Sequence, residues 1–176
     1  MKVYTKGGDK GMTTLFGGTK LSKSSDRVCM YGAVDEANAA IGLAAAVLEN
    51  KAFADFLRLC QKKLLVIGAE LASDERGKRL LKEHITEQDI QALEQVIDGI
   101  QEQLTPKSEF TVPGLSVQSA TLHVARTQVR AAERQIVSLI DRYSISGNIL
   151  IYMNRLSDFL FVVSRAVDEV DSLGSQ

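Results

Sequence analysis

Residues 116–143, SVQSATLHVARTQVRAAERQIVSLIDRY, predict one long amphipathic helix. Apolar residues recur in this stretch every three or four positions, which is the period of an α-helix. They form a single stripe: Leu122, Ala125, Val129, Ala132, Ile136 and Leu139. An apolar stripe of this kind must be covered by other elements, so we expect the helix to lie within a helical bundle.

Three arginines, Arg126, Arg130 and Arg134, lie one turn apart on another side of this helix. Like charges at this spacing repel each other, and Glu133 beside them offsets only part of the repulsion. A guanidinium group matches the oxygens of phosphates and carboxylates, so the row predicts an anionic neighbour. Two neighbours fit the residues: carboxylates of an adjacent helix, which is the commoner arrangement, or a nucleotide.

Four more helices follow from the same periodicity. Thr86 and Asp89 form a capping-box pattern at the start of the third helix, and Pro106 ends that helix. Asp26 is the expected N-cap of the first helix, and the charged residues 74–84 predict a loop. The predicted helices span 26–48, 51–73, 86–104, 116–143 and 149–170. Together they predict an all-α protein, a five-helix antiparallel bundle of the ferritin-like kind.

The last predicted helix is apolar around most of its circumference. One mixed row interrupts it, formed by Asn154, Asp158, Phe161 and Arg165. A helix that is apolar nearly all round must be covered on both sides, either centrally or by another subunit. We therefore expect an oligomer.

Composition excludes several classes of protein. The chain has 176 residues, 45% of them hydrophobic, and a formal net charge of -1, which predicts one domain and argues against nucleic-acid binding. No signal peptide or membrane-spanning run is present in the sequence, so we expect a cytoplasmic protein. His84 and His123 lack ligand-spaced partners, and Cys29 and Cys60 are interpreted as core residues. No protein metal site is predicted.

Residues 1–25 contain five glycines at positions that break any periodicity, and we expect an ordered or ligand-ordered loop. Backbone N–H groups of such a loop can converge on a phosphate, with Lys6, Lys10, Thr13 and Thr14 as additional donors. The Walker A pattern is absent, because Ser22 stands where its second glycine belongs. A nucleotide-binding loop and a flexible surface terminus explain the local sequence equally well.

Four ordered segments resemble one family, the PduO-type ATP:cob(I)alamin adenosyltransferases, also called corrinoid adenosyltransferases. They are YTKGGDKGMTTL (4–15), YGAVDEANAAIG (31–42), HVARTQVRAAER (123–134) and YMNRLSDFLFVVSR (152–165). The resemblance covers nearly the whole chain. It implies a single adenosyltransferase domain over residues 1–176, with residues 1–25 as the nucleotide-binding segment and 26–170 as the bundle. It also implies a homotrimer with ATP between adjacent subunits.

The resemblance further implies which residues bind the substrates. The ATP contacts would be Thr5, Lys6, Gly7, Gly8, Thr13, Thr14, Lys23, Arg130, Glu133, Arg134 and Asn154. Asp35 would pair with Arg126 across the subunit interface, and Phe110 would close the corrin pocket and exclude the lower axial ligand. Where family members commonly have Thr-Gly-Asp, this chain has Gly7, Gly8 and Asp9, so one loop hydroxyl is missing.

The implied reaction explains why no protein nucleophile stands out in the sequence. Cob(I)alamin itself attacks the 5′ carbon of ATP and inorganic triphosphate leaves, so the corrinoid carries the chemistry. Mg²⁺ is expected on the phosphates, and a flavoprotein reductase and an adenosylcobalamin-dependent enzyme are expected partners. Two other functions remain open: a carrier that delivers adenosylcobalamin, and a non-catalytic helical oligomer whose arginines form subunit salt bridges.

Overall fold

The computed structural model describes residue 4, residues 6–106 and residues 112–174, with side chains described to residue 170. A short antiparallel hairpin, β1 (Met12–Thr14) and β2 (Lys20–Ser22), precedes the helices. The helices are α1 (Asp26–Val47), α2 (Lys51–Leu71), α3 (Glu75–Lys78), α4 (Glu87–Gln101), α5 (Val117–Tyr143) and α6 (Gly147–Gly174). The predicted all-α bundle is confirmed, with α3 as a short addition.

The core lies between the long helices. Helix α1 packs against α2 and α5, and α6 packs against α5 and α4. The predicted stripe of α5 is fully buried from Leu122 to Ile136, and Leu139 is half-buried. Phe159 of α6 is also fully buried and meets Phe56 of α2 edge-on, with ring centroids 5.0 Å apart. Because α5 is covered by α1 and α6, its remaining surface faces outward.

Three local predictions are corrected. Residues 75–78 form α3 instead of a loop, because the Asp74 carboxylate accepts a hydrogen bond from the backbone N–H of Gly77 and caps the turn. Ser25, not Asp26, is the N-cap position of α1, because the Asp26 carboxylate instead accepts bonds from Tyr143 and Arg142. Cys29 is exposed, since it lies beside the buried stripe of α1; Cys60 is buried as predicted.

The start of α1 is tied to the end of α5. The hydroxyl of Tyr143 donates to Asp26 Oδ1 over 2.6 Å, which holds the pKa of that carboxyl below its usual value. The guanidinium of Arg27 lies 4.9 Å from the centre of the Tyr143 ring and donates to the carbonyl oxygens of Leu71 and Ser73. These contacts place the end of α2 beside the start of α1 and the end of α5. The hairpin lies at the same end of the bundle, because the Phe16 N–H donates to the Ala72 carbonyl.

Thr86 is the N-cap of α4 and forms the predicted capping box with Asp89. Its hydroxyl accepts the backbone N–H of Asp89, while the Asp89 carboxylate accepts the backbone N–H of Thr86. Thr86→Ala is expected to lower the free energy of unfolding by about 1 kcal/mol, because one helix N–H loses its partner. Urea denaturation at fixed protein concentration measures the change. Thr86→Ser keeps the hydroxyl and should remain near wild type; equal losses in both variants would contradict this role for the cap.

Candidate functional site

The hairpin brings several predicted loop residues together. Lys6 has a left-handed backbone (φ 59°), and the chain then turns back so that the Lys23 N–H donates to the Gly11 carbonyl over 2.8 Å. A Cβ placed on Gly8 would lie only 2.8 Å from Nζ of Lys23. The glycine at position 8 therefore lets an ammonium group approach the loop backbone, which is the arrangement that anionic oxygens favour.

The remaining predicted loop residues lie on or next to this hairpin. Thr13 and Thr14 occupy β1 opposite Leu21 and Lys20 of β2. Thr13 is half-buried, whereas the side chains of Thr14, Lys6 and Lys23 are exposed, as is Gly7. Thr5 falls outside the described residues. The described loop donors are thus accessible to a ligand.

The arginine row of α5 finds no carboxylate within the described part of the chain. Arg130 is exposed and its guanidinium makes no hydrogen bond or ion pair with the described residues; Arg134 donates only to the Arg130 carbonyl, over 3.2 Å. Arg126 is half-buried, with its Cζ 5.9 Å from the centre of the Phe161 ring and a buried Nε that has no hydrogen-bond partner. The ion-pair network with an adjacent helix is therefore not found.

A polar chain holds Glu133 and Asn154 beside this row. The Asn154 side chain donates to Glu133 Oε1 over 3.1 Å and accepts from Arg155 Nη1 over 2.9 Å. Arg155 also donates through Nε to Glu94 of α4 over 2.7 Å. The predicted residues Glu133 and Asn154 thus meet directly. Arg155 and Glu94, which sequence reasoning missed, connect this pair to α4.

Three residues of the mixed row of α6, Asp158, Phe161 and Arg165, line an open cleft between α4 and α6. The cleft has a volume of about 550 Å³ and is lined by Glu94, Arg155, Asp158, Phe161 and Arg165, among others. Its lining therefore combines an aromatic ring with both signs of charge. Phe110, expected to close the corrin pocket, falls outside the described residues.

His123 is a buried residue of α5 that lies one turn before Arg126. Its ring centroid is 6.4 Å from that of Phe161, and neither of its buried ring nitrogens has a hydrogen-bond partner among the described residues. Burial lowers the pKa of His123, and the nearby charge of Arg126 lowers it further, while Asp168 opposes the shift. A neutral imidazole that lies against Phe161 is typical of a packing residue.

Asp35 is exposed on α1 and borders a groove of about 360 Å³ between α1 and α2. Within the described chain it forms no ion pair, and it does not meet Arg126. Likewise, no hydrogen bond joins the described loop residues 6–23 to Arg130, Glu133, Arg134 or Asn154. One chain therefore carries the two predicted halves of the ATP site without joining them through direct polar contacts.

Among the described residues, no group of three or more His, Cys, Asp or Glu side chains is arranged to hold a metal ion. None of the described helices combines the length and apolar character needed to cross a membrane.

The fold and the site define a helical protein with a glycine-rich hairpin and a row of arginines that form no ion pair with the described residues. The chain belongs to the cobalamin adenosyltransferase family, whose model matches residues 3–167. The resemblance inferred from the four sequence segments is confirmed.

Relatives agree with this membership. A corrinoid adenosyltransferase of Citrobacter freundii is 44% identical over 164 residues, which are 93% of each chain. Corrinoid adenosyltransferase PduO of Salmonella typhimurium is 38% identical over 96% of this chain, which spans 50% of that protein. A variant PduO-type ATP:corrinoid adenosyltransferase from Lactobacillus reuteri, complexed with cobalamin and ATP, superposes with a TM-score of 0.91 at 35% identity. The match covers 97% of this chain and 96% of that one.

The environment of His123 predicts a pH dependence of stability. Because its pKa in the folded protein lies below the ordinary 6.5, the unfolded chain takes up a proton first as the pH falls. The contribution of His123 is therefore fully present above the unfolded pKa and is lost as the pH drops from there through the folded pKa. An NMR titration should place the His123 midpoint below 6.5, with His84→Gln assigning the signals of the two histidines. A midpoint at or above 6.5 would contradict the buried, neutral imidazole.

Proposed function

We propose that this protein transfers the 5′-deoxyadenosyl group of ATP to the cobalt of cob(I)alamin, giving adenosylcobalamin and inorganic triphosphate. The observation that carries the proposal is the arginine row of α5, whose guanidinium groups find no carboxylate in the described chain. Aligned guanidinium groups that form no ion pair with the described residues are stabilised by external anions, and triphosphate supplies several negative charges for Arg130 and Arg134. The activity named for relatives at 38 to 44% identity supports the same conclusion.

We propose that the hairpin forms the other half of the ATP site. Thr5, Lys6, Gly7, Gly8, Thr13, Thr14 and Lys23 would contribute to it. The approach of the Lys23 ammonium to Gly8 supports this role, because it places a positive charge beside unobstructed backbone donors. Residues 1–25 and the bundle of residues 26–170 would then act as one unit, since each contributes half of the site.

Two adjacent subunits of a homotrimer would complete each site. A trimeric ring joins two different surfaces of the same chain at every interface, which suits a site whose two halves share no hydrogen bond or ion pair among the described residues of one chain. Asp35, exposed and without an ion pair in the described chain, would meet Arg126 of the neighbouring subunit. That pair would bury the half-exposed Arg126 guanidinium against an opposite charge and would fix the register of the two halves.

In this reaction cobalt supplies the electron pair for the new cobalt–carbon bond, and the C5′–oxygen bond breaks with its electrons moving to triphosphate. No protein nucleophile is required. Arg130 and Arg134 would stabilise the charge that develops on the leaving oxygens, and Glu133 and Asn154 would orient the nucleotide. Phe110 would wall the corrin site and keep a ligand from the lower face of cobalt.

Mg²⁺ would enter with ATP. The described residues offer no carboxylate cage, and Mg²⁺ commonly binds substrate phosphates while keeping several waters. The reactive state of cobalt also needs an electron donor, so a flavoprotein reductase is the proposed upstream partner. An adenosylcobalamin-dependent enzyme is the proposed recipient of the product.

The activity is tested under anaerobic conditions with ATP, Mg²⁺ and chemically reduced cobalamin. A light-sensitive cobalt–carbon bond and free triphosphate are expected, and Arg130→Ala should lower kcat about 10²-fold or more because charge on the leaving group loses a donor. Arg58→Ala removes an exposed arginine of α2 that bonds only to Asp55, and it should retain activity. A wild-type protein that forms no adenosylcobalamin overturns the proposal.

The composite site is tested by mixing subunits. Lys23→Ala impairs the hairpin half and Arg130→Ala the helix half, so each variant alone should be weakly active. Refolded or co-expressed mixtures should regain activity, because about a quarter of the sites then combine two intact halves. A mixture of Arg130→Ala and Arg134→Ala, which impair the same half, should regain none. Equal behaviour of the two mixtures would place the whole site within one subunit.

A further inference from the structure

Asp74, at the junction between α2 and α3, contacts two separate parts of the chain. Its Oδ2 accepts the backbone N–H of Thr19 over 3.0 Å and the Thr19 hydroxyl over 2.6 Å. Its Oδ1 accepts the backbone N–H of Gly77 over 2.9 Å. One carboxylate therefore caps α3 and also holds the tip of the hairpin, 55 residues away in the sequence.

Backbone contacts place the hairpin tip against the same junction. The N–H of Phe16 donates to the Ala72 carbonyl over 2.9 Å, and the Asp74 N–H donates to the Phe16 carbonyl over 3.0 Å. A Cβ placed on Gly77 would lie 1.9 Å from the Phe16 carbonyl oxygen, so a side chain at position 77 would push the tip away. The junction is shaped to receive the hairpin.

Two adjacent glycines of the tip differ in their relation to Asp74. Gly17 and Gly18 have nearly the same backbone angle, φ 114° and 113°. A Cβ on Gly17 would lie 1.6 Å from Asp74 Oδ1, whereas a Cβ on Gly18 would meet nothing within 4 Å. The carboxylate thus lies directly against the tip at Gly17.

The carboxylate is ionised at neutral pH. The hydrogen bond from the Thr19 hydroxyl and that from the Gly77 N–H lower the pKa of Asp74 to about 2. Hydrogen bonds to a charged acceptor are stronger than those between neutral groups.

The tip is coupled to the residues of the proposed ATP site through the hairpin ladder. The Leu15 N–H donates to the Thr19 carbonyl over 2.8 Å, and the next ladder pairs are Thr14 with Lys20 and Thr13 with Leu21. Lys23 follows immediately after β2. Fixing Thr19 therefore fixes the strand that carries the threonines and the strand that leads to Lys23.

From this geometry we infer that Asp74 is a positioning residue, which holds the hairpin in the conformation that binds the triphosphate of ATP. The inference rests on the proposed function, since it assigns Asp74 to the hairpin half of that site. Asp74 does not belong to the predicted set of ATP contacts, and its carboxylate acts through Thr19. A residue that only capped α3 would stabilise the junction without altering affinity for ATP.

Asp74→Asn separates the two roles. Asparagine is a good N-cap and keeps one oxygen for the Gly77 N–H, but it then turns an N–H₂ group toward the donors of Thr19. In the variant, the dissociation constant for ATP should rise about tenfold, because two hydrogen bonds to a charged acceptor are lost. The KM for cob(I)alamin and kcat at saturating ATP should stay within about twofold of wild type.

Amide hydrogen exchange in the ATP-free protein provides a second measurement. In Asp74→Asn the exchange of the Thr19 amide should become faster, while that of the Gly77 amide should remain unchanged. Asp74→Ala should accelerate both. Thr19→Val, which removes only the hydroxyl donor, should give a smaller increase in the dissociation constant and serves if the Asp74 variants fold poorly.

The two glycines supply a matched pair. Gly17→Ala and Gly18→Ala introduce the same backbone strain, but only the first displaces the Asp74 carboxylate. Gly17→Ala should therefore weaken ATP binding more than Gly18→Ala, and the difference should disappear when Asp74 is also replaced by alanine. Equal effects in the wild-type background would overturn the inference.

Calorimetric titration of wild type with ATP tests the proposed function separately from the positioning role of Asp74. If wild type binds no ATP, the proposed function fails, and the role of Asp74 fails with it. If wild type binds ATP and Asp74→Asn binds it equally well although Thr19 exchanges faster, only the positioning role is overturned. Weaker binding together with faster exchange at Thr19 supports it.

Discussion

The burial of one face of α5 is the constraint on which the rest of the structure depends. Val129 and Ala132 are fully buried, so the rotation of this helix about its axis is fixed by packing against α1 and α6. The same rotation directs Arg130 and Arg134 outward. Repulsion within an arginine row amounts to a few tenths of a kcal/mol per pair, whereas burying one Val or Leu side chain contributes about 1.5–3 kcal/mol. Packing therefore decides where the charges lie.

The second constraint is the attachment of the hairpin to the bundle. The hairpin pairs only three residues of β1 with three of β2. A two-stranded hairpin of this kind is marginally stable in water, so it could not hold a fixed conformation alone. Here Phe16 pairs with the end of α2, and Arg27 ties that end to Tyr143 at the end of α5. The loop and the arginine helix are thus linked through α1 and α2, although no hydrogen bond or ion pair joins the described loop residues to Arg130 or Arg134. The packing of the bundle therefore sets the position of the hairpin relative to the arginine row.

Periodicity was sufficient for the long helices and their buried faces, since those depend on the local spacing of apolar residues. Periodicity could not reveal α3, because a helix of four residues is too short to show a period. The sequence signal for α3 is Asp74, an N-cap residue that lies three positions before the backbone N–H of Gly77. Periodicity also could not bring His123 to Phe161 or Glu133 to Asn154, because such pairs depend on which helices are neighbours and at what depth. Cys29 was misassigned to the core, although the buried stripe of α1 passes through the adjacent Met30.

The distribution of charge supports the proposal that the site lies between subunits. A single chain that enclosed three guanidinium groups without counter-ions would bear a large desolvation penalty, because isolated charges are poorly tolerated in a protein interior. Keeping Arg130 and Arg134 exposed avoids that penalty in the free chain. In the proposed assembly, a second subunit would exclude water from the arginine row only when a polyanion neutralises the positive charge of the row. Closure of the site and binding of the anion would therefore favour each other. The half-buried Arg126 lies beside Phe161, and its Nε has no hydrogen-bond partner among the described residues. In the proposed assembly a carboxylate, rather than the ligand, would balance its charge.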